Sequence, residues 1–462
     1  MIQRIRSFFK FEERNTNFRA EIMGGLVTFL AMAYILAVNP NMISAAGIPI
    51  GGAFIATALG AAIATLIMAF TANYPVALAP GMGVNAFFTY TIVLGIGYSW
   101  QEALAASFIG GLIFVAISFT PLRRKLIEAI PKSLRAAIGA GIGFFIAFVG
   151  LQNAGIIVGD PATGVALGNL LDPSVLVALF GLVVIIVLYN VKSKLNRFAF
   201  ILAILVTALL YAILSVVGVF PPITLFEYSE LGTFKETFGG FITGFKTLFQ
   251  DGPRLTASAK LMTLPVVVFA LLFVDIFDTA GTLVAVTKAG DLQDEDGNIP
   301  NLDKALFADA VGTLISSTLG TPEITSFVES STGVESGART GFANVVTAIL
   351  FLLAIALFPV MGIFQIFPIT SMTLILVGVL MAGQFAEIDW SDKAIAIGSF
   401  FTIIMMILTY SVADGIAFGF ITYTIAKIAQ GKPKEVNLLI YVFSLGFILY
   451  FIFYSKGFNL FT

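Results

Sequence analysis

The chain of 462 residues contains no cysteine and no histidine. The first absence removes disulfides and thiol chemistry. The second removes the side chain that titrates near neutral pH, so any proton chemistry there falls to carboxylates. Without either residue there is no zinc-type ligand spacing, and neither a metal nor a cofactor is expected. Charge is scarce as well, at 11% of residues, where a soluble domain carries about 25%. Between Ile22 and Gln101, 80 residues pass without an Asp, Glu, Lys or Arg. The glycine-containing stretches "GVNAF" and "STGVESG" lack the Gly-Lys-Ser/Thr ending of a phosphate loop. The net charge of −2, with no basic patch, gives no reason to expect a nucleic-acid partner.

What is present is apolar sequence, 58% of the chain. One helix crosses a bilayer with roughly 20 residues, so the chain reads as an all-α polytopic membrane protein whose solvent is largely lipid. A membrane β-barrel would show short alternating strands instead of these continuous runs. Fourteen spans are expected near 22–44, 50–71, 76–97, 100–119, 133–154, 173–190, 198–219, 261–287, 303–320, 324–339, 340–358, 361–382, 392–410 and 412–430, with a further apolar run at 437–455. The first twenty residues form a basic amphipathic stretch without a cleavable-signal pattern, expected on the cytoplasmic surface of the cell membrane and held there by Phe8, Phe9 and Phe11. Residues 220–260 contain an amphipathic interfacial helix, and 288–304 are an acidic solvated loop. With the N-terminus inside, 20 of the 25 Lys and Arg fall on the inner side, as the positive-inside rule requires.

The sequence repeats itself. Residues 130–155 resemble 367–390 in pattern, and 75–88 resemble 325–338. Setting Gly83-Val84-Asn85 on Gly333-Val334-Glu335 sets Ala79 on Glu329. Seven spans per half is an odd number, so the halves have opposite topology, an inverted repeat. The glycine- and proline-interrupted third and tenth spans should each be a short extended piece (75–78 and 325–328) followed by a half-helix. Such irregular backbone persists at membrane depth only inside protein or along a wet cavity.

Four acidic groups fall within the eighth and tenth spans. Asp275 and Asp278 are three apart and share a face of the eighth span. Glu329 and Glu335 lie in the tenth. An acidic side chain at a helix centre costs about 2.5–3.5 kcal/mol on insertion scales, and such residues usually serve function. Glu335 has a structural alternative, an i,i+4 pair with Arg339. Asp414 follows a short turn and is expected to cap a helix. Thr28 and Asn39 are polar positions of the first span, where a threonine commonly bonds its own backbone.

The stretches "NTNFRAEIMGGLVTFLAMAYILAVNP" (15–40), "ALAPGMGVNAFF" (77–88), "FVDIFDTAGTLVAV" (273–286) and "ESSTGVESGARTG" (329–341) resemble the AzgA-like adenine/guanine/hypoxanthine permeases of the nucleobase–ascorbate and uracil permease superfamily. The resemblance runs over essentially the whole chain. It implies a uracil-permease-like fold with a core domain (21–120 and 261–360) and a gate domain (121–220 and 361–432). Around these lie the N-terminal segment 1–20, a linker at 221–260 and an extra C-terminal segment 433–462 that departs from a fourteen-span plan. It implies a substrate site at Glu329 and Asp278, with Thr28 from the first span and Asn85, Ala86, Phe87, Phe327, Val328 and Ser330 beside them. Asp275 is the fallback for Asp278.

From these residues the expected activity is proton-coupled uptake of a purine nucleobase. Glu329 would accept the base's N–H groups, backbone amides near Phe87 and Val328 would serve ring nitrogens, and Phe87 or Phe327 would stack on the ring. Asp278 is the first choice for proton carrier, with Asp275 and Glu329 behind it. The partners expected are the base, protons, the bilayer and a second copy of the chain through the gate domain. Two rivals stand beside this reading. An anion carrier of the sulfate type would share the fold, but acidic groups at the half-helix tips oppose it. An intramembrane aspartyl protease would show Gly-x-Gly-Asp, where this chain has "SVADGI".

Overall fold

The structure is a computed structural model that describes residues 2–120, 130–192, 196, 198–222, 225–290, 292–293 and 299–460. Arg123, Arg124, Lys125, Lys194 and Arg197 of the inner-side count, and residues 294–298 of the acidic loop, lie outside it.

A short helix α1 (Ile2–Phe8) leads to the first span, which is two helices, α2 (Phe18–Met32) and α3 (Ile35–Ser44). Asn17 caps α2 by accepting from the Ala20 amide at 3.0 Å. The second span is α4 (Ile50–Thr71). The third begins as strand β1 (Leu78–Pro80), turns into α5 (Met82–Ala86) and ends as a π-helical stretch, Phe87–Ile96. Gly97, at φ 103°, supplies the left-handed turn that closes it. Then α6 (Trp100–Ser118) opens on a capping box between Ser99 and Glu102. Helix α7 (Lys132–Asn153) is followed by a hairpin, β2 (Ile157–Asp160) and β3 (Gly164–Leu167), that was not expected, and by α8 (Pro173–Asn190) and α9 (Ala199–Val216).

The second half contains α10 (Gly240–Thr247), α11 (Ala257–Ala289) and α12 (Leu302–Leu319). Strand β4 (Ile324–Ser326) and half-helix α13 (Ser330–Glu335) form the tenth span. The rest is α14 (Gly341–Ala354), α15 (Phe367–Ala382), α16 (Lys393–Leu408), α17 (Val412–Ala429) and α18 (Leu438–Leu460). Helical segments therefore occupy all fourteen expected spans. Among the described residues nine helices are long and apolar enough to cross a membrane.

Several boundaries differ from expectation. The first span loosens to a turn at Ala33–Tyr34, where the backbone angles stay right-handed helical. The strands lie at 78–80 and 324–326 rather than 75–78 and 325–328. Residues 361–365, expected to start the twelfth span, end a 3-10 stretch (Ile355–Gln365) that contains Pro359, which cannot donate to the helix ladder. The N-terminal aromatics do not all face a membrane surface. Phe8 is exposed, but Phe9 and Phe11 are buried against Phe342, with ring centroids at 5.6 and 5.7 Å. Asp414 is not the cap of α17; Ser411 is, accepting from the Asp414 amide at 3.2 Å.

Packing divides into two groups of helices. Helix α4 lies against α12 and α14, α6 against α10, α11 and α12, and α2 against α13 and α14. Alanine and glycine allow the closest approaches: a Cβ on Gly341 would collide with the Ala69 carbonyl. Helix α7 packs on α15 and α16, α16 on α17, and α8 on α9 and α15. The groups touch where α2 meets α9, α5 meets α7 and α11 meets α17. The extra helix α18 lies on α11 and α17, with Phe443 and Phe269 at 4.2 Å.

Candidate functional site

The two interrupted spans meet in the interior. Strands β1 and β4 pair antiparallel, Leu78 opposite Ser326, Ala79 opposite Thr325 and Pro80 opposite Ile324. The Phe327 amide extends the ladder by donating to the Ala77 carbonyl at 3.0 Å, and the Gly81 amide does so by donating to Glu323 at 3.1 Å. Three-residue strands in lipid would strand their polar backbone; pairing with one another satisfies it. Asn344 on α14 holds the approach to β1, its amide group donating to the carbonyls of Tyr74 (2.9 Å) and Val76 (2.7 Å). Beneath α13, a Cβ on Gly333 would strike the hydroxyl of Thr28 and the carbonyl of Gly24, so α2 supports the half-helix backbone directly.

Glu329 precedes α13 but does not cap it. Its carboxylate points instead to the turn at Ala33–Tyr34 in the first span, where the Tyr34 hydroxyl donates to Oε1 at 2.7 Å. Asp278 approaches from the unbroken helix α11, near enough that its charge acts on both Glu329 and Tyr34. Asp278 and Glu329 are partly exposed, and Val328 beside them is 44% exposed. Two acidic groups, one carried by an interrupted span and one by a continuous helix, thus share an accessible interior place with a phenol between elements. They can accept hydrogen bonds and exchange protons.

The other expected residues divide. Phe87, Ala86 and Phe327 are buried around the strand crossing, and the Phe87 amide is bonded to the carbonyls of Gly83 and Val84 within its own helix. That amide is not free for a ring nitrogen, contrary to expectation. Ser330 is also committed, its Oγ accepting from the Ala77 amide at 3.0 Å. Asn85 donates to Asn39 Oδ1 at 2.7 Å, and Asn39 donates in turn to Thr57 (2.8 Å) and Thr321 (3.0 Å). This fully buried network ties spans one, two and three to β4's approach. Asp275, the fallback, belongs to a different group: it accepts from Thr313 at 2.8 Å and faces Asp309 and Glu323, whose charges repel its own. Glu335 is exposed, and Arg339 donates to the carbonyls of Val334 (2.6 Å) and Ala338 (2.7 Å) instead of pairing with it.

Sequence reasoning missed Tyr34, Asp309 and Glu323. The two acids carried a usable signal, being carboxylates next to apolar runs. Tyr34 carried none, since a tyrosine in an apolar stretch reads as packing. A small cavity of about 10 Å³ is lined by Asn41, Tyr90, Asn153 and Thr370 among others, and includes none of the expected residues.

Residues 19–450 match the Permease family. The guanine/hypoxanthine permease PbuG of Bacillus subtilis is 43% identical over 458 residues, covering 97% of this chain and 100% of that protein. The adenine permease AdeP of Escherichia coli is 36% identical over 454 residues, 98% of this chain and 96% of that one. Among solved structures, the transmembrane domain of the cyanobacterial bicarbonate transporter BicA superposes with a TM-score of 0.56 at 15% identity, covering 89% of this chain and 97% of that one. At that identity the likeness speaks for the fold alone.

Proposed function

The chain belongs to the Permease family, within the nucleobase–ascorbate and uracil permease superfamily, and on that premise we propose that it takes up purine nucleobases by proton-coupled alternating access. It is a multi-pass membrane transporter. Relatives named for guanine, hypoxanthine and adenine over nearly their full length support the cargo. The observation that supports the site is the Tyr34 hydroxyl held on Glu329 Oε1 at 2.7 Å beside exposed Val328.

In this reading Glu329 accepts the N–H edge of the base, and Asp278 carries the proton. A charged carboxylate is costly in the low-dielectric interior, so taking up a proton together with the neutral base lets the loaded site move. The helices around β1 and β4, residues 21–120 and 261–360, act as the core that holds substrate. Residues 121–220 and 361–432 act as the gate. Thr28 supports the half-helix from behind rather than contacting the base. The N-terminus lies in the cytoplasm of the cell, where the basic residues gather, and a second copy pairs through the gate.

The reading is tested with purified protein in liposomes, each labelled base being offered with and without an imposed pH gradient. Accumulation of guanine, hypoxanthine or adenine above equilibrium only when the outside is acidic is the expected result. Gradient-independent equilibration would remove the proton, and no uptake of any purine would remove the cargo. The acidic character of the site argues against an anion in the same place.

A further inference from the structure

Tyr34 is 2% exposed and sits in the two-residue turn, right-handed helical in its backbone angles, between α2 and α3. Its hydroxyl holds Glu329 Oε1, and its ring lies flat on Phe200 at 4.9 Å between centroids and 20° between planes. Phe200 opens α9 and belongs to the other group of packed helices. One side chain therefore joins the candidate substrate carboxylate to the opposing half of the molecule. We propose that Tyr34 passes the occupancy of Glu329 to the gate, a claim that rests on Glu329 being the acceptor for the base.

The chemistry follows from counting donors. A carboxylate receives a two-donor partner best when both oxygens are engaged side by side. In this structure the phenol already occupies Oε1. Oε1 has two lone pairs, so a base N–H that approaches along the one Tyr34 occupies displaces the hydroxyl, which then loses its acceptor. The ring then has cause to turn about its own side-chain bonds. Turning disturbs the stack on Phe200, so binding loosens a contact between the two helix groups. When the base leaves, the hydroxyl returns to Glu329 and the stack is restored. A purely structural tyrosine would need no carboxylate partner.

The test separates affinity from turnover. Tyr34→Phe keeps the ring and removes the competing donor. Equilibrium binding of radiolabelled guanine and hypoxanthine to the purified variant should be unchanged or tighter, while maximal uptake in liposomes falls by about tenfold. Phe200→Leu should leave the Kd unchanged and slow uptake likewise. Because the two act through one link, the double variant should be no slower than the slower single one, within about twofold. Unfolding temperatures matched to the wild type exclude misfolding as the cause. Affinity and rate lost together in Tyr34→Phe, no change in either, or multiplied losses in the double variant would each overturn the proposal. If the wild type binds no labelled purine, the reading of Glu329 itself is overturned; if it binds and the variants behave like it, the link alone is.

Discussion

The ammonium of Lys260 and the carboxylate of Glu102 meet at 2.7 Å with 3% and 4% of their side chains exposed. The pair joins the start of α11 to the start of α6. Lys260 also donates to the carbonyls of Gln250 (2.9 Å) and Thr247 (3.2 Å), while Glu102 completes the capping box at Ser99. Every charge in the arrangement has a partner, which is the condition for a buried ion pair to be tolerated.

Removing one partner should therefore be far worse than removing both. Lys260→Met leaves Glu102 buried and unpaired, and the expected loss is about 3–5 kcal/mol. Lys260→Met combined with Glu102→Gln should recover most of it, because the amide still serves the Ser99 amide and no charge is stranded. Thermal unfolding in detergent of the wild type, the single and the double variant checks this. A double variant no more stable than the single one would show that the lysine matters through its contacts with the linker carbonyls instead.

Gly333 offers a sharper probe of the site scaffold. A methyl group there would collide with the Thr28 hydroxyl and the Gly24 carbonyl. The carbonyl is backbone and cannot rotate away, so α13 must lift off α2 and carry Glu329 with it. Gly333→Ala should lower uptake by at least about tenfold, a 1 Å misplacement being enough for such a loss. Adding Thr28→Ala should recover only part of the activity, since the Gly24 contact remains. Full recovery in the double variant would mean that the hydroxyl alone sets the packing.

How much of this was legible beforehand depended on whether the physics was local. A charge-free run of 80 residues could only be membrane helix, and the paired Gly-Val motifs marked the two broken spans because interruptions leave glycine and proline behind. Asp278 and Glu329 stood out because carboxylates are expensive in lipid. The bond between Tyr34 and Glu329 left no such trace: "LAMAYILA" reads as packing, and its partner lies nearly 300 positions away. The commitments of Asn85 and Ser330 to the scaffold are tertiary for the same reason. So is the burial of Phe9 and Phe11, whose partner Phe342 lies in the other half of the chain.

Capping the start of α16 and lying before its first residue, Asp392 gives a pH dependence. Its hydrogen bond to Lys427 holds its carboxyl below the usual carboxylate range, aided by the amides of Ala394 and Ile395, which it caps at 2.8 and 3.4 Å. A group depressed in the folded state adds stability above its unfolded pKa of about 3.9 and withdraws it as pH falls through the folded value. The unfolding temperature should therefore hold from neutral pH down to about 5 and decline below about 4. Asp392→Asn should be less stable than wild type at neutral pH, by about 1 kcal/mol, and decline less steeply in acid. Parallel curves for the two proteins would assign the acid loss to other carboxylates.

Asp278 and Glu329 are close enough to sense each other's charge, yet the proposed mechanism gives them separate work. Asp278→Asn keeps size and polarity but cannot exchange a proton. If Asp278 is the carrier, the variant still binds the base at Glu329 and still exchanges labelled for unlabelled base across a liposome membrane, because exchange needs no net proton movement. Accumulation against a gradient should vanish, and uptake should no longer respond to external pH. Glu329→Gln should instead abolish binding and exchange together, since an amide has one acceptor oxygen where the carboxylate has two. The order of the two phenotypes decides the assignment. Should Asp278→Asn accumulate base as well as the wild type does, the proton rides elsewhere, and Asp275 with its neighbours Asp309 and Glu323 becomes the place to look.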